Sequence, residues 1–240
     1  STNNNCFGEI LGTIDATVGG GTLPYTYSWA NSTYQLSWAE EDQDSLANDH
    51  YYLLVTDANG CQRNDSVVVT SPTALMLEFD STNVTSFGGS NGSINSTVSG
   101  GIPPYIFSWS NGAVTQNLSN IPAGWYVMTI TDAHSCSIID SVYISEPSDP
   151  LMVALTGTQV TCFGGTDASS EATASGGTPP YTYLWSTGST ATAIEELHAG
   201  IYSITITDAF GNNASDTIEI FQPDAFTFTQ SVTNVSCFGL

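Results

Sequence analysis

Apolar residues recur at every second position through much of the chain. Tyr25, Tyr27 and Trp29 alternate with Thr26 and Ser28, which puts three rings on one face of an extended segment. Tyr126, Met128 and Ile130 alternate with Val127, Thr129 and Thr131. The runs Tyr51, Leu53, Val55 and Tyr202, Ile204, Ile206 match them. Gly-Gly-x-Pro and Asn-Gly clusters punctuate these runs as turns would. No stretch carries helical periodicity. Short strands at roughly ten-residue spacing, with a Trp in the third, predict seven-stranded sandwiches of immunoglobulin-like type.

The pattern is a repeat. Cys6-Phe7-Gly8 returns as Ser86-Phe87-Gly88, Cys162-Phe163-Gly164 and Cys237-Phe238-Gly239. Pro24-Tyr25 through Trp29 returns as Pro104-Tyr105 through Trp109 and Pro180-Tyr181 through Trp185. Thr56-Asp57-Ala58 returns at 131–133 and 207–209. Phe-to-Phe spacings are 80, 76 and 75 residues. Fixed landmarks at one period predict tandem modules in an extended array. The expected boundaries are 1–72 for a first repeat lacking its first strand, 73–147 for the second and 148–223 for the third. Residues 224–240 read as the first strand of a following repeat. No leader is seen, so a secreted chain is expected to be a mature segment or a piece of a longer array.

Composition narrows the partners. Lys+Arg is 1 and Asp+Glu is 23, a formal net charge of −22, yet only 10% of residues are charged and 40% are hydrophobic. An acidic disordered tail has neither that apolar content nor 11% aromatics. With Arg63 as the single strong cation, nothing displaces counterions from phosphates, so nucleic acid is excluded as a partner. Anionic bilayers are disfavoured, and no apolar run suits membrane insertion.

The succession Ser99-Gly100-Gly101-Ile102-Pro103-Pro104-Tyr105, Phe107, Trp109-Ser110-Asn111-Gly112, Ala123-Gly124-Trp125-Tyr126 and Thr131-Asp132-Ala133 to Cys136, preceded in the third copy by Cys162-Phe163-Gly164-Gly165, resembles the SprB repeat. The resemblance implies PKD-like, immunoglobulin-like modules of giant extracellular cell-surface adhesins of gliding Bacteroidota, exported by type IX secretion. It spans all three copies. It departs at Ser86 and Asn212, where cysteines stand in the pattern. The first copy also has five extra residues between Trp29 and Tyr51.

Cysteines at repeat positions in a secreted chain suggest disulfides. One set of positions (6, 86, 162, 237) falls in the A–B turn and the other (61, 136, 212) in the F–G turn. In a sandwich these turns lie at opposite poles, about 17–20 Å apart, whereas a disulfide needs Cα atoms within about 7 Å. Joining the A–B turn of one repeat to the F–G turn of the next pairs Cys6 with Cys136 and sets Ser86 opposite Asn212. It is the scheme that leaves no half-pair inside the chain. Cys61, Cys162 and Cys237 are then expected to find partners outside it.

Catalytic chemistry has no foothold. His50, His134 and His198 occupy unrelated repeat positions, Glu40-Glu41 and Glu195-Glu196 read as solvated, and no nucleophile elbow, phosphate loop or Cys-x-x-Cys occurs. The chain is therefore not expected to be an enzyme. Tyr51, Tyr126 and Tyr202 suit tyrosine corners. Asp57, Asp132 and Asp208 end strand F in every copy. Turn capping is their favoured role, and calcium is the one cofactor they suggest. The acidic insertion Ala39-Glu40-Glu41-Asp42-Gln43-Asp44 reads as a solvated loop. Ser66, Ser141 and Thr217 each follow an Asp and precede an apolar residue, which resembles a Bacteroidota O-glycosylation signal. The functional expectation is a structural and adhesive stalk whose partners are neighbouring repeats and surface polysaccharides. Its rivals are a filament subunit joined by strand donation and a carbohydrate-binding accessory of a secreted enzyme.

Overall fold

The computed structural model describes residues 1–233, which form seventeen strands and no helix. Every pairing between strands is antiparallel. The chain divides into two compact units, residues 1–83 with 91–144, and residues 84–90 with 145–240.

The first unit holds β1 (Gly12–Ile14), β2 (Thr26–Ala30), β3 (Gln43–Leu46), β4 (Asp49–Thr56) and β5 (Gln62–Val69). It continues with β6 (Met76–Thr82), β7 (Gly92–Ser99), β8 (Ile106–Trp109), β9 (Leu118–Ile121), β10 (Gly124–Thr131) and β11 (Ser137–Ile144). Two repeats are visible as two pairs of sheets. The first repeat has β1-β3 and β2-β4-β5, and the second has β6-β7-β9 and β8-β10-β11. The second unit contains the third repeat, β12 (Met152–Gly157), β13 (Ala168–Ser175), β14 (Thr182–Trp185), β15 (Ala193–Leu197), β16 (Gly200–Thr207) and β17 (Asn213–Ile220). Its sheets are β12-β13-β15 and β14-β16-β17.

The alternation of side chains explains each core. Trp29, Tyr51, Leu53 and Val69 meet Ile14 and Leu46 in the first repeat. Trp185, Ile204, Ile206 and Ile220 meet Val160, Ala172, Ile194 and Leu197 in the third. Trp109, Tyr126, Met128, Ile130 and Ile144 are the buried equivalents in the second. The ring nitrogens of the three core residues Trp29, Trp109 and Trp185 are satisfied by the carbonyls of Glu40 (3.0 Å), Thr115 (2.9 Å) and Ala191 (2.9 Å). A buried indole keeps its apolar gain only if that N–H finds an acceptor.

One expectation needs correction, and the structure bears on two others. The complete repeats have six strands rather than seven. Only residues 110–117 separate β8 from β9, room for a turn and no further strand. The first repeat retains the last residue of its first strand, since Thr2 bridges Thr13 through paired backbone bonds of 2.9 and 3.2 Å. Residues 224–233 form no strand, and Phe226 and Phe228 are 96% and 92% exposed. A strand needs a neighbour's backbone groups, and among the described residues none reaches this segment. The remainder, residues 234–240, lies outside the described residues.

Replacing Trp185 by Ala removes the centre of the third repeat's core and is expected to lower stability by about 3–5 kcal/mol, read by urea unfolding followed with far-UV circular dichroism.

Candidate functional site

One carboxylate organises the same pole of every repeat. Asp132 directly follows β10, and its Oδ2 accepts the Ile102 amide at 2.9 Å while Oδ1 accepts those of His134 and Cys136, both at 2.9 Å. Asp57 does the same with Thr22 (3.0 Å), Asn59 (2.9 Å) and Cys61 (2.9 Å). Asp208 binds Thr178 (3.1 Å), Phe210 (2.9 Å) and Asn212 (2.9 Å). Each Asp thus ties the turn after strand B (β1, β7 or β13) to the turn between strands F (β4, β10 or β16) and G (β5, β11 or β17). Burial pushes the Asp132 carboxyl up, but the amides of Ile102, Cys136 and His134 outweigh it and hold the group below the ordinary Asp value. The amides of Cys61 and Thr22 lower Asp57 likewise.

The turn that receives the carboxylate requires glycine. Gly100 has φ +72°, and a Cβ there would lie 1.8 Å from the Ala74 carbonyl oxygen; Gly176 has φ +66° and would meet that of Pro150 at 1.9 Å. Tyr105 and Tyr181 donate their hydroxyls to these glycines' carbonyls at 2.6 and 2.7 Å. The peptide bonds before Pro24, Pro104 and Pro180 are cis.

The F–G turn so fixed presents residue 136 to the preceding repeat. Cys6 and Cys136 are joined in a disulfide with Cα atoms 5.7 Å apart and a sequence separation of 130. His134 Nδ1 also lies 3.4 Å from the Asn5 carbonyl, so both side chains of the turn engage the A–B loop. Cys6 is positioned in turn by Glu9, whose Oε2 accepts the amides of Asn5 (3.0 Å) and Cys6 (2.8 Å). In the second unit, where the cysteine pair is replaced, Asn212 Nδ2 donates to the Thr85 carbonyl at 2.8 Å, next to Ser86. Cys61 and Cys162 are free, exposed thiols. Cys237 lies outside the described residues.

The core of the first repeat is open along one side. A groove of about 550 Å³ is lined by Ile14, Tyr25, Trp29, Leu53, Val55 and Val67 among others. In the complete repeats β6 and β12 fill this place. Phe79 packs on Trp109 with ring centroids 5.6 Å apart, and Leu151, Val153 and Leu155 cover the core of the third repeat. The acidic insertion is not a free solvated loop. Asp42 accepts the Ala16 amide (2.9 Å), Glu41 that of Val18 (3.3 Å), and the Glu40 carbonyl holds Trp29. Carboxylates thereby take over on the β3 edge the role Asn117 plays for Ser96 (3.0 Å) in the second repeat.

The remaining candidates are scattered. Tyr51, Tyr126 and Tyr202 donate to the carbonyls of Ala47 (3.1 Å), Pro122 (2.9 Å) and His198 (3.1 Å), each four residues upstream. His50 stacks on Tyr52 with centroids 4.5 Å apart. Ser66, Ser141 and Thr217 are exposed on the G strands β5, β11 and β17, each with its amide held by the preceding Asp (2.8, 2.7 and 2.7 Å). Among the described residues no three His, Cys, Asp or Glu side chains gather as a metal site requires. Asp57, Asp132 and Asp208 stand one to a repeat.

A protein-family model described as SprB repeat matches residues 1–36, 79–114 and 154–190. No curated protein matches the chain. Among solved structures, the three N-terminal domains of the Highly Immunogenic Outer Capsid protein (Hoc) of bacteriophage RB49 align at 14% identity, TM-score 0.46, covering 92% of this chain and 98% of that one. The N-terminal eight immunoglobulin domains of Down Syndrome Cell Adhesion Molecule align at 13%, TM-score 0.45, covering 83% and 33%. The ectodomain of mouse nectin-like molecule 4 aligns at 10%, TM-score 0.36, covering 95% and 98%.

Replacing Cys6 by Ser is expected to destabilise the first two repeats by about 2–5 kcal/mol, measured by urea unfolding. The depressed carboxyl of Asp132 contributes stability that is present above the ordinary Asp value of 3.8 and lost as pH falls from there through the lower folded-state value. Stability measured from pH 7 to pH 2 should therefore fall below about pH 4, and Asp132→Asn should flatten part of that decline.

Proposed function

Since the chain is an array of SprB repeats, we propose that it is a non-catalytic stalk segment of a secreted cell-surface adhesin, one that spaces and anchors while binding weakly at many points. SprB repeats are typical of cell-surface adhesins. Among the described residues no helix is long and apolar enough to cross a membrane. The observation that carries the reading is the disulfide between consecutive repeats. A bond within a repeat would protect one fold; a bond between repeats resists the hinge motion that otherwise dominates a tandem array. It also suits an oxidising compartment outside the cell.

The charge supports the same role. At −22 with a single Arg, neighbouring stalks repel, which keeps them separate and extended. Weak contacts to neutral polysaccharide, multiplied along many repeats, would provide grip without a deep site in any one of them. Glycans on Ser66, Ser141 and Thr217 belong to this reading, since all three hydroxyl-bearing residues are exposed on the outer strands. Gliding and type IX export enter this proposal only through the likeness to the SprB repeat.

Antibodies against the three repeats should label intact cells, and brief proteinase K treatment of those cells should release the antigen without lysis. Antigen reached only after lysis would contradict an extracellular stalk.

A further inference from the structure

We propose that the outer face of the β8-β10-β11 sheet in the second repeat is a carbohydrate platform, on which Trp125 and Tyr143 stack the pyranose rings of a neutral polysaccharide. This rests on the adhesive reading above and deepens it by naming the ligand class and the residues that hold it.

The platform follows from alternation along β10 and β11. Tyr126, Met128 and Ile130 are buried in the core, which turns Trp125, Val127 and Thr129 outward. The ladder sets Trp125 opposite Tyr143, Val127 opposite Ser141 and Thr129 opposite Ile139. The two rings share one face, with centroids 5.2 Å apart and planes inclined by 47°. Trp125 is 68% exposed and Tyr143 51%. Ile139, and Ile106 on β8, carry exposed apolar surface further along the same face. An exposed patch of this kind marks a place where something docks.

Folding does not account for the rings. The core of the second repeat closes on Trp109, Tyr126, Met128 and Ile144 without them. A ring pair across two strands stiffens a ladder. Yet the equivalent ladders form with His50 opposite Val68 in the first repeat and Ile201 opposite Glu219 in the third. The first repeat keeps a smaller version of the surface, since His50 stacks on Tyr52. The third has no ring at these positions.

The chemistry of the face selects its occupant. The chain carries a net charge of −22, yet every residue facing outward from β8, β10 and β11 is uncharged. Hydroxyls of Ser, Thr and Tyr stand among the apolar groups. A neutral pyranose matches both features. Its C–H face lies against the electron-rich face of an aromatic ring, and its hydroxyls bond to side-chain hydroxyls that donate and accept. An acidic polysaccharide or a second copy is repelled by the charge of the chain. A basic protein is drawn to the acidic remainder of the surface rather than to this face. Trp and Tyr also bind at little cost in conformational entropy. An open sheet surface takes an internal stretch of a polymer, and repetition along an array turns weak contacts into grip.

Ser141 lies beside Tyr143 on the same face. A glycan on Ser141 would cover the platform, so its modification and the capture of an external chain exclude each other.

The test is affinity electrophoresis of the 240-residue chain through native gels containing hydroxyethyl cellulose, arabinoxylan or galactomannan, all neutral, or the acidic alginate. Intact mass is checked first, so that Ser141 carries a free hydroxyl. At least one neutral polysaccharide is expected to retard the chain, and alginate is not. The double variant Trp125→Ala with Tyr143→Ala should bind about tenfold more weakly or worse, with its far-UV circular dichroism and urea midpoint unchanged. Trp125→Phe with Tyr143→Phe keeps both rings and should retain most of the retardation. Retardation by none of the neutral polysaccharides would overturn the proposal, as would equal retardation of the Ala variant or stronger retardation by alginate. Dimers in sedimentation velocity that the Ala variant abolishes would give the face to a second copy and overturn it too. Each of these failures leaves the stalk reading standing, whereas antigen reached only after lysis would remove that reading whatever the gels show.

Discussion

Each repeat hangs on a carboxylate that faces three backbone amides. Asp132 bonds Ile102 from one turn and His134 and Cys136 from another, so two loops that would otherwise move separately become one surface. Those amides lie at the end of the sandwich, where no ladder partner reaches them, and an unmet amide there would be costly. The geometry recurs at Asp57 and Asp208. The residue four places after the Asp therefore always projects from the same place, whether it is Cys61, Cys136 or Asn212. The junction depends on that constancy. A disulfide tolerates little error in Cα spacing, and the 5.7 Å between Cys6 and Cys136 is delivered by the clamp on one side and Glu9 on the other.

Much of this was legible in the sequence, for reasons that differ from residue to residue. The Trp and Tyr cores follow from strict alternation, because a period of two leaves one face for burial. The Cys6–Cys136 pair follows from repeat arithmetic, since Ser86 and Asn212 depart from cysteine together. Asn212 now holds the Thr85 carbonyl by a hydrogen bond, so the covalent link is replaced by a polar one at the same loop. The strand count was misjudged: seven were expected, but the interval from Trp109 to Tyr126 holds a single intervening strand, β9.

Other features were not legible because they depend on what surrounds a residue in space. Glu41 and Asp42 look like solvent-facing acids in an insertion, yet they accept the amides of Ala16 and Val18. Nothing local in Glu-Glu-Asp distinguishes an acceptor for a neighbouring strand from a hydrated loop. The tail shows the converse. Phe226, Thr227, Phe228 and Thr229 alternate as a strand should, but strand formation is a property of two segments, and alternation describes only one.

The proposed function rests on the junction more than on any pocket. A covalent bridge ties the first repeat to the second. Stretching single chains between their termini tests this most directly. With the disulfide intact, the residues between Cys6 and Cys136 are shielded from extension. Reduction should therefore add about 450 Å of contour length, from 130 residues at roughly 3.3–3.6 Å each. The same contour length before and after reduction would contradict a bridge between the repeats.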